Sequence, residues 1–317
     1  MGEFNNNQFG RTSEVLIRTG SREGVTELED VYFTAPYKVM HPFSRGKGWK
    51  EIMIMSVSAG TMEGDRQSCR MEIGSGSKVL VTSQSYEKIH RMKEGFAQRE
   101  TNIVVESDAV LYYRPQPVIP FAGSDFRSKT KVILKGEKAR LVMSDILCSG
   151  RVAMGEQFAY QYYSNLVEIY KAEIGYEIDI LKEPKAEVAA GKESDARKGS
   201  VTRKEAEREK LILSYRDNTR YEPQNPGMDM NGFGMYEGYG YLLNLLFCNI
   251  PVDKGQLEKV RSCLEKAEEE QITGGITCTW DGDLVIRALG NCAEELERLS
   301  EKLVGIVIKT VIGTVDI

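Results

Sequence analysis

The 317-residue chain carries 42 basic and 47 acidic residues and a formal net charge of −5. This mixed charge argues against a nucleic-acid-binding protein, and no apolar run approaches the roughly 18 residues that identify a membrane-spanning helix. Residues 1–20 lack a basic region followed by an apolar stretch, so no secretory signal is predicted. We therefore expect a cytoplasmic protein with neither nucleic acid nor membrane as a partner.

Residues 14–182 have the pattern of short β-strands. Apolar or β-branched runs lie between polar turns at 78–82, 101–106 and 131–135, and residues 165–181 alternate like a half-buried strand pair broken at Gly175. The turns recur at spacings of roughly 30 residues, which favours a sandwich or a stacked β architecture. No repeat consensus accompanies this spacing.

Residues 183–210 differ from everything before them, because more than half of them are charged and most of the others are Ala, Gly or Ser. Residues 204–210 could form two helical turns through charge pairs four residues apart. The composition of the whole segment favours an exposed, mobile insertion.

The C-terminal third predicts a helix, a hairpin and a second helix within residues 252–303. Asp253 and Asn291 each fit a helix N-cap with a reciprocal acceptor three residues later, and Asp281-Gly282 predicts the hairpin turn. The residues expected on the two buried helix faces are Leu257, Val260, Leu264 and Ala267, and Leu296, Leu299 and Leu303. Residues 305–317 are β-branched and predict a final strand.

Cysteine and histidine usage argues against a resident metal centre. The six cysteines include no Cys-x-x-Cys pair and predict reduced, mostly buried thiols. The two histidines, His41 and His90, are weak candidates for contact with nickel, since an imidazole site needs more ligands. No phosphate-binding loop of the Gly-x-x-x-x-Gly-Lys-Ser/Thr type occurs, so no GTP site is predicted in this chain.

Two groups of polar or soft residues are candidates for function. Methionines and glycines crowd residues 227–240, which predicts either an adaptable partner surface or ordinary loop packing. Asp65, Asp145 and Glu156 are loop carboxylates, and Arg151 is a natural partner for them. They could be structural ion pairs, partner contacts, metal-conducting groups or the acids of a hydrolase. We hypothesise that Asp65, Asp145 and Arg151 form one polar network.

Residues 115–124 read Pro-Gln-Pro-Val-Ile-Pro-Phe-Ala-Gly-Ser, and 144–158 carry an Asp-Ile-x-x-x-Gly-Arg-x-x-x-Gly-Glu-x-Phe loop. Both resemble motifs of the urease accessory proteins called UreD, or UreH in some bacteria. Further likeness follows in the family's order at 60–65, 82–91, 228–246 and 284–299. The chain departs from many relatives at His90, where they have an aromatic residue, and its charged segment is longer.

The resemblance implies a non-catalytic scaffold for nickel insertion into apo-urease that bridges urease and the UreF–UreG GTPase module. Nickel would transit this complex, and GTP would be bound by the partner GTPase. We therefore expect a single domain over residues 1–317, mainly β, with short strands in a stacked or β-helical arrangement and two C-terminal α-helices. The candidates for partner binding or metal conduction are Asp65, Thr82, Gln84, Lys88, Arg91, Asp145, Arg151, Glu156, Gly232, Tyr236 and Tyr239.

Two alternatives stay open at this point. A β-helical carbohydrate-active hydrolase could use two of the loop carboxylates as general acid and base, although the sequence shows no clear aromatic platform for a sugar. A metal carrier would require more nickel ligands than two histidines and scattered cysteines supply.

Overall fold

The computed structural model describes residues 12–172, 211–269 and 271–308. The charged segment 183–210 lies outside the described residues, as does the expected strand break at Gly175. The described strands are β1 (Thr12–Arg22), β2 (Val25–Phe33), β3 (Tyr37–Val39), β4 (Phe43–Ser44), β5 (Trp49–Ser56), β6 (Arg66–Ile73), β7 (Lys78–Ser83), β8 (Glu87–Ile89), β9 (Ala97–Val105), β10 (Val110–Arg114), β11 (Val118–Pro120), β12 (Asp125–Lys135), β13 (Arg140–Cys148), β14 (Tyr162–Ala172), β15 (Leu211–Tyr221), β16 (Tyr241–Cys248), β17 (Thr273–Cys278) and β18 (Leu284–Gly290). The helices are α1 (Lys254–Glu268) and α2 (Ala293–Ile308).

The strands form two sheets. The first has the order β15-β14-β12-β9-β6-β1-β2, and the second has the order β17-β18-β16-β13-β10-β7-β5-β3 with the short β4, β8 and β11 attached. From β5 to β14 the chain passes back and forth between the sheets, so successive strands of each sheet are parallel neighbours. The register pairs Trp49 with Lys78, Lys78 with Val110, and Val110 with Arg140. The members of each pair are about 30 residues apart in the chain, which is the size of a solenoid repeat. The predicted β-helical arrangement is confirmed.

The alternation of each strand divides the apolar residues between two cores. In β7, Val79 and Val81 point between the sheets, whereas Leu80 points to the opposite face of the second sheet. That opposite face is covered by α1 and α2, so β7 is buried on both sides and reads as a continuous apolar run. The first sheet contributes only its inward face to this core, and its outward face mixes polar residues with apolar ones such as Leu16, Val104 and Ile133.

The C-terminal layer agrees with most of the sequence-based expectations. The Asp253 side chain caps α1 by accepting from the Gln256 N–H at 2.7 Å, and the Asp253 N–H donates to Gln256 Oε1 at 3.0 Å. The expected faces of both helices are buried or pack against the core. The hairpin β17–β18 turns at Asp281-Gly282, where Gly282 has φ +88°.

Two details of this layer differ from the prediction. Helix α2 begins at Ala293 and the Leu296 N–H bonds to the Cys292 carbonyl, so the residue that caps it is Cys292 and not Asn291. Residues 305–308 continue α2 instead of starting a strand, because Val307 and Ile308 fit the buried stripe of the helix. The remaining residues of the expected strand, 309–317, lie outside the described residues.

Candidate functional site

The turns that lead from the second sheet to the first stack along one side of the β-helix, which we call the turn edge. Residues 57–65, 84–96, 115–124 and 149–161 form it. Backbone bonds run from turn to turn: Thr61 N–H to Lys88 O (2.8 Å), His90 N–H to Thr61 O (2.8 Å), Phe121 N–H to Ile89 O (2.9 Å) and Gly123 N–H to Ala159 O (2.8 Å). Seven of the residues singled out in the sequence lie on this edge: Asp65, Gln84, Lys88, His90, Arg91, Arg151 and Glu156.

The inward face of the first sheet is polar next to the turn edge and apolar further in. Five polar residues are register partners on five neighbouring strands: Gln67, Arg99, Ser128, Asn165 and Thr219. Strand alternation puts all of them on the inward face of the sheet. The row that contains Met71, Ile103, Val132 and Ile169, four residues further along each strand, is apolar. A polar row therefore runs across the strands beneath the stacked turns.

At one end of this row, four side chains close a ring of hydrogen bonds. Arg99 forms an ion pair with Glu87, and its Nε donates to Gln67 Oε1 at 2.8 Å. Gln67 Nε2 donates to Thr61 Oγ1 at 2.9 Å, and Thr61 donates to Glu87 Oε1 at 3.0 Å. Burial opposes the charge on Arg99, but Glu87 raises the pKa of the guanidinium above its usual value. We call these four residues the Arg99 ring.

The Arg99 ring lines a cavity of about 140 Å³ that reaches from the turn edge into the β-helix. Thr82, Gln84 and Lys88, which the sequence singled out, line the same cavity. Burial raises the pKa of the Cys69 thiol at its inner end to about 12, so this cysteine is held as the neutral thiol. Sequence reasoning missed Glu87 and Arg99 because charged residues in a strand pattern usually indicate a solvated face.

Asp145 occupies the same side of the second sheet. It lies on β13 opposite Asn244 of β16, whose Nδ2 donates to Asp145 Oδ2 at 3.2 Å. Burial raises the pKa of Asp145 to about 6. The pKa of the buried Tyr163 is raised by burial and by the charge of Asp145 and is lowered by Arg99.

The hypothesis of one network of Asp65, Asp145 and Arg151 is wrong. Asp65 Oδ2 accepts from the Met62 N–H at 2.8 Å, within its own turn. Arg151 pairs with Glu156 and stacks over Phe121, with its guanidinium carbon 4.4 Å from the ring centroid. The physical reason is that Asp145 still belongs to a strand and faces inward, whereas Arg151 follows in the exposed turn.

The glycine- and tyrosine-rich segment 222–240 packs against the turn 149–161. The Ser149 N–H bonds to Gly240 O at 2.7 Å, and Gln224 Nε2 donates to Phe158 O at 3.0 Å. Tyr236 is fully buried and packs against Phe158, with the ring centroids 4.9 Å apart. It therefore supports this surface from below.

Residues at the surface of these two segments are available for contact. Tyr239 and Gly232 are half-buried. Phe233 is fully exposed and Met154 is 71% exposed. Large apolar side chains that remain in water are a feature of protein-interaction surfaces. The sequence indicated the crowding of methionines but not which of these residues would be exposed.

The described residues contain no group of three or more His, Cys, Asp or Glu that could hold a metal ion. The His90 ring nitrogen lies 3.1 Å from the Ala59 carbonyl oxygen and its ring contacts Phe121 edge-on. His41 is exposed. Within the same part of the chain, neither helix has the length and apolar character required to span a bilayer.

Gly150 permits the close approach of the backbone at Glu156 within the turn 149–161. It has φ +145°, and a Cβ at this position would lie 2.3 Å from the Glu156 carbonyl oxygen. We expect Gly150→Ala to lower the free energy of unfolding by about 2 kcal/mol, as measured by urea unfolding. Gly275→Ala is the matched control, because its added Cβ meets open space. Equal stability of the two variants would contradict this account of the turn.

The chain is similar to known proteins over nearly its whole length. The family model described as UreD urease accessory protein matches residues 11–315. Urease accessory protein UreH of Helicobacter pylori (strain G27) is 32% identical over 306 residues, which cover 96% of this chain and 98% of that protein. Urease accessory protein UreD of Acetivibrio thermocellus is 31% identical over 294 residues, or 92% of this chain and 96% of that protein. The chain therefore belongs to the UreD/UreH family of urease accessory proteins.

Proposed function

We propose that this protein is a non-catalytic scaffold for nickel insertion into apo-urease, and that it bridges urease and the UreF–UreG GTPase module. Membership of the accessory family supports the general role. The observations that carry the specific proposal are the polar cavity beside the Arg99 ring and the inward-facing carboxylate of Asp145. Polar groups of this kind within an apolar β-helix core cost stability and need a function to explain them.

In this proposal nickel is the cargo and not a resident cofactor. Glu87 and Asp145 offer carboxylate oxygens, and Gln67, Thr61 and Asn244 offer neutral oxygens. Nickel(II) accepts oxygen donors but is held more firmly by nitrogen or thiolate, so this set suits brief contact better than storage. GTP would be bound by the partner GTPase, and its hydrolysis would release the ion.

In this proposal partners dock on the outer surface of the turn edge and of the adjoining segment 222–240. Lys88 and Arg91 are exposed there, and Met154 and Phe233 add apolar area. Exposed apolar side chains surrounded by charged groups are typical of a docking surface, where the apolar residues supply affinity and the charges supply orientation.

The test is a pull-down of the tagged chain, co-expressed with the host's urease structural and accessory proteins. We expect recovery of UreF or apo-urease with the wild-type chain, and strongly reduced recovery with Met154→Glu/Phe233→Glu. The control is Val25→Glu/Trp280→Glu, which charges two exposed apolar residues at the opposite side of the β-helix. Recovery of neither partner by folded wild-type protein would refute the scaffold proposal.

No observation among the described residues favours the carbohydrate-active hydrolase. Asp65 and Glu156 are occupied by their own turns, and Asp145 is paired with an amide. Paired acids of a glycosidase face each other across a cleft at about 5–10 Å, and these three carboxylates share no hydrogen-bond partner.

A further inference from the structure

A groove between the two C-terminal helices has a chemistry that neither the family nor the turn edge accounts for. Helices α1 and α2 run antiparallel over the second sheet, and between them lies an open groove of about 460 Å³. Its floor is apolar and consists of Ala267, Leu299 and Ile306, with Cys263 beside them. We call it the helix groove.

The rim of the helix groove is basic. Lys259 and Lys266 lie on α1 two turns apart, and Lys302 faces them from α2. All three are exposed, and within the described residues no carboxylate forms an ion pair with any of them. The three exposed acids of α1, Glu258, Glu265 and Glu268, point away from the groove by the 3.6-residue spacing of the helix.

From this combination we infer that the helix groove binds an acidic amphipathic helix of a partner protein. An apolar floor between two parallel ridges accepts the apolar stripe of a third helix, which is a recurring mode of recognition. Three unpaired lysines on the rim select acidic residues at the borders of that stripe. On a chain whose net charge is −5, a local basic rim also orients an acidic partner before contact.

The inference deepens the proposed scaffold function and rests on it, because the helix would belong to one of the partners that the chain assembles. The groove is a second docking surface, separate from the turn edge. A scaffold that bridges two partners requires two such surfaces.

The test uses charge reversal on a single helix. Lys259→Glu/Lys266→Glu reverses two rim charges, and Lys254→Glu/Arg261→Glu makes the same change in net charge on the far side of α1. Purified UreF and purified apo-urease from the host are titrated separately against wild type and both variants at low and high salt. We expect one of the two proteins to bind the rim variant about tenfold more weakly, with a flatter salt dependence, and to bind the control as tightly as wild type.

A steric variant tests the floor independently of charge. Ser262 lines the groove and is exposed, so Ser262→Trp should fill it and weaken the same partner, whereas Glu258→Trp should not. If wild type binds a partner and the rim and Ser262 variants bind it equally well, the groove inference is overturned and the scaffold proposal survives. If wild type binds neither protein, both fail. A change confined to self-association of the chain would assign the groove to a second copy and would also overturn the inference.

Discussion

Replacement of Asp145 by asparagine is expected to impair urease activation strongly while leaving the protein folded. Asparagine keeps the shape of the side chain and can still accept a bond from Asn244, but it removes the carboxylate at the inner end of the proposed nickel path. The measurement is urease activity, after co-expression of the urease genes with wild-type or variant chain at equal protein levels. Normal activation by the variant would remove Asp145 from the path.

The same substitution should increase stability at neutral and alkaline pH. Burial raises the folded-state pKa of Asp145 to about 6, from an ordinary value of 3.8. The favourable contribution of Asp145 to the free energy of unfolding is therefore present below about pH 4 and is lost as the pH rises through about 6. Above that pH, folding retains an ionised carboxylate in a poorly solvated position, at a cost of up to about 3 kcal/mol.

The check is urea unfolding of both proteins between pH 4 and pH 8. We expect Asp145→Asn to be more stable than wild type by about 1–3 kcal/mol at pH 8 and about equal to it at pH 4. A difference that stays constant across this range would show that Asp145 is not the titrating group. Asp217→Asn is a useful control, because Asp217 is paired with Arg287 at 2.8 Å. This variant should be less stable than wild type, since it loses that ion pair.

Replacement of Glu87 by alanine is expected to give the largest loss of stability, about 2–3 kcal/mol. The side chains of Arg99 and Glu87 are 17% and 20% exposed, so removal of the carboxylate leaves a guanidinium mostly out of water without its counter-charge. Breaking a fully buried pair costs about 3–5 kcal/mol, and the residual exposure of this pair reduces that figure. The Thr61 hydroxyl would lose its acceptor at the same time.

A double-mutant cycle separates the ion pair from general damage. Glu87→Ala/Arg99→Met removes both charges and should be more stable than Glu87→Ala alone, because no unpaired cation remains. Glu27→Ala is the exposed control. Its pair with Arg22 spans 3.9 Å and half of the Glu27 side chain is in water, so about 0.5 kcal/mol or less is expected. Equal losses for Glu87→Ala and Glu27→Ala would show that the Arg99 ring contributes nothing to stability.

The strands and helices could be predicted largely from local pattern. The runs at 78–82, 101–106 and 131–135 became β7, β9 and β12 because β-branched and apolar residues between polar turns have few other stable arrangements. The cap at Asp253 depended on two side chains three residues apart, which is local chemistry. The errors were also local in origin: 305–308 has strand-like composition, but burial against the second sheet made it the last turn of α2.

The candidate site was accessible from sequence only in part. Family motifs pointed to Thr82, Gln84 and Lys88, and these three residues line the cavity beside the Arg99 ring. The family motifs did not point to Glu87, Arg99 or Gln67, because strand alternation alone does not tell which face of a strand lies inside the β-helix. That assignment depends on register: Gln67 and Arg99 are neighbours on β6 and β9 although they are far apart in the chain.

The sequence by itself determined the mainly β class, the C-terminal helix–hairpin–helix layer and the family, since all three depend on residue types at short spacing. Only the tertiary structure decided that Asp145, Arg151 and Asp65 have separate partners and that Tyr236 is core. It also decided that Lys259, Lys266 and Lys302 share one groove. The physical reason is that ion pairing and burial act over a few ångströms in space, and a β-helix brings residues about 30 positions apart to that distance.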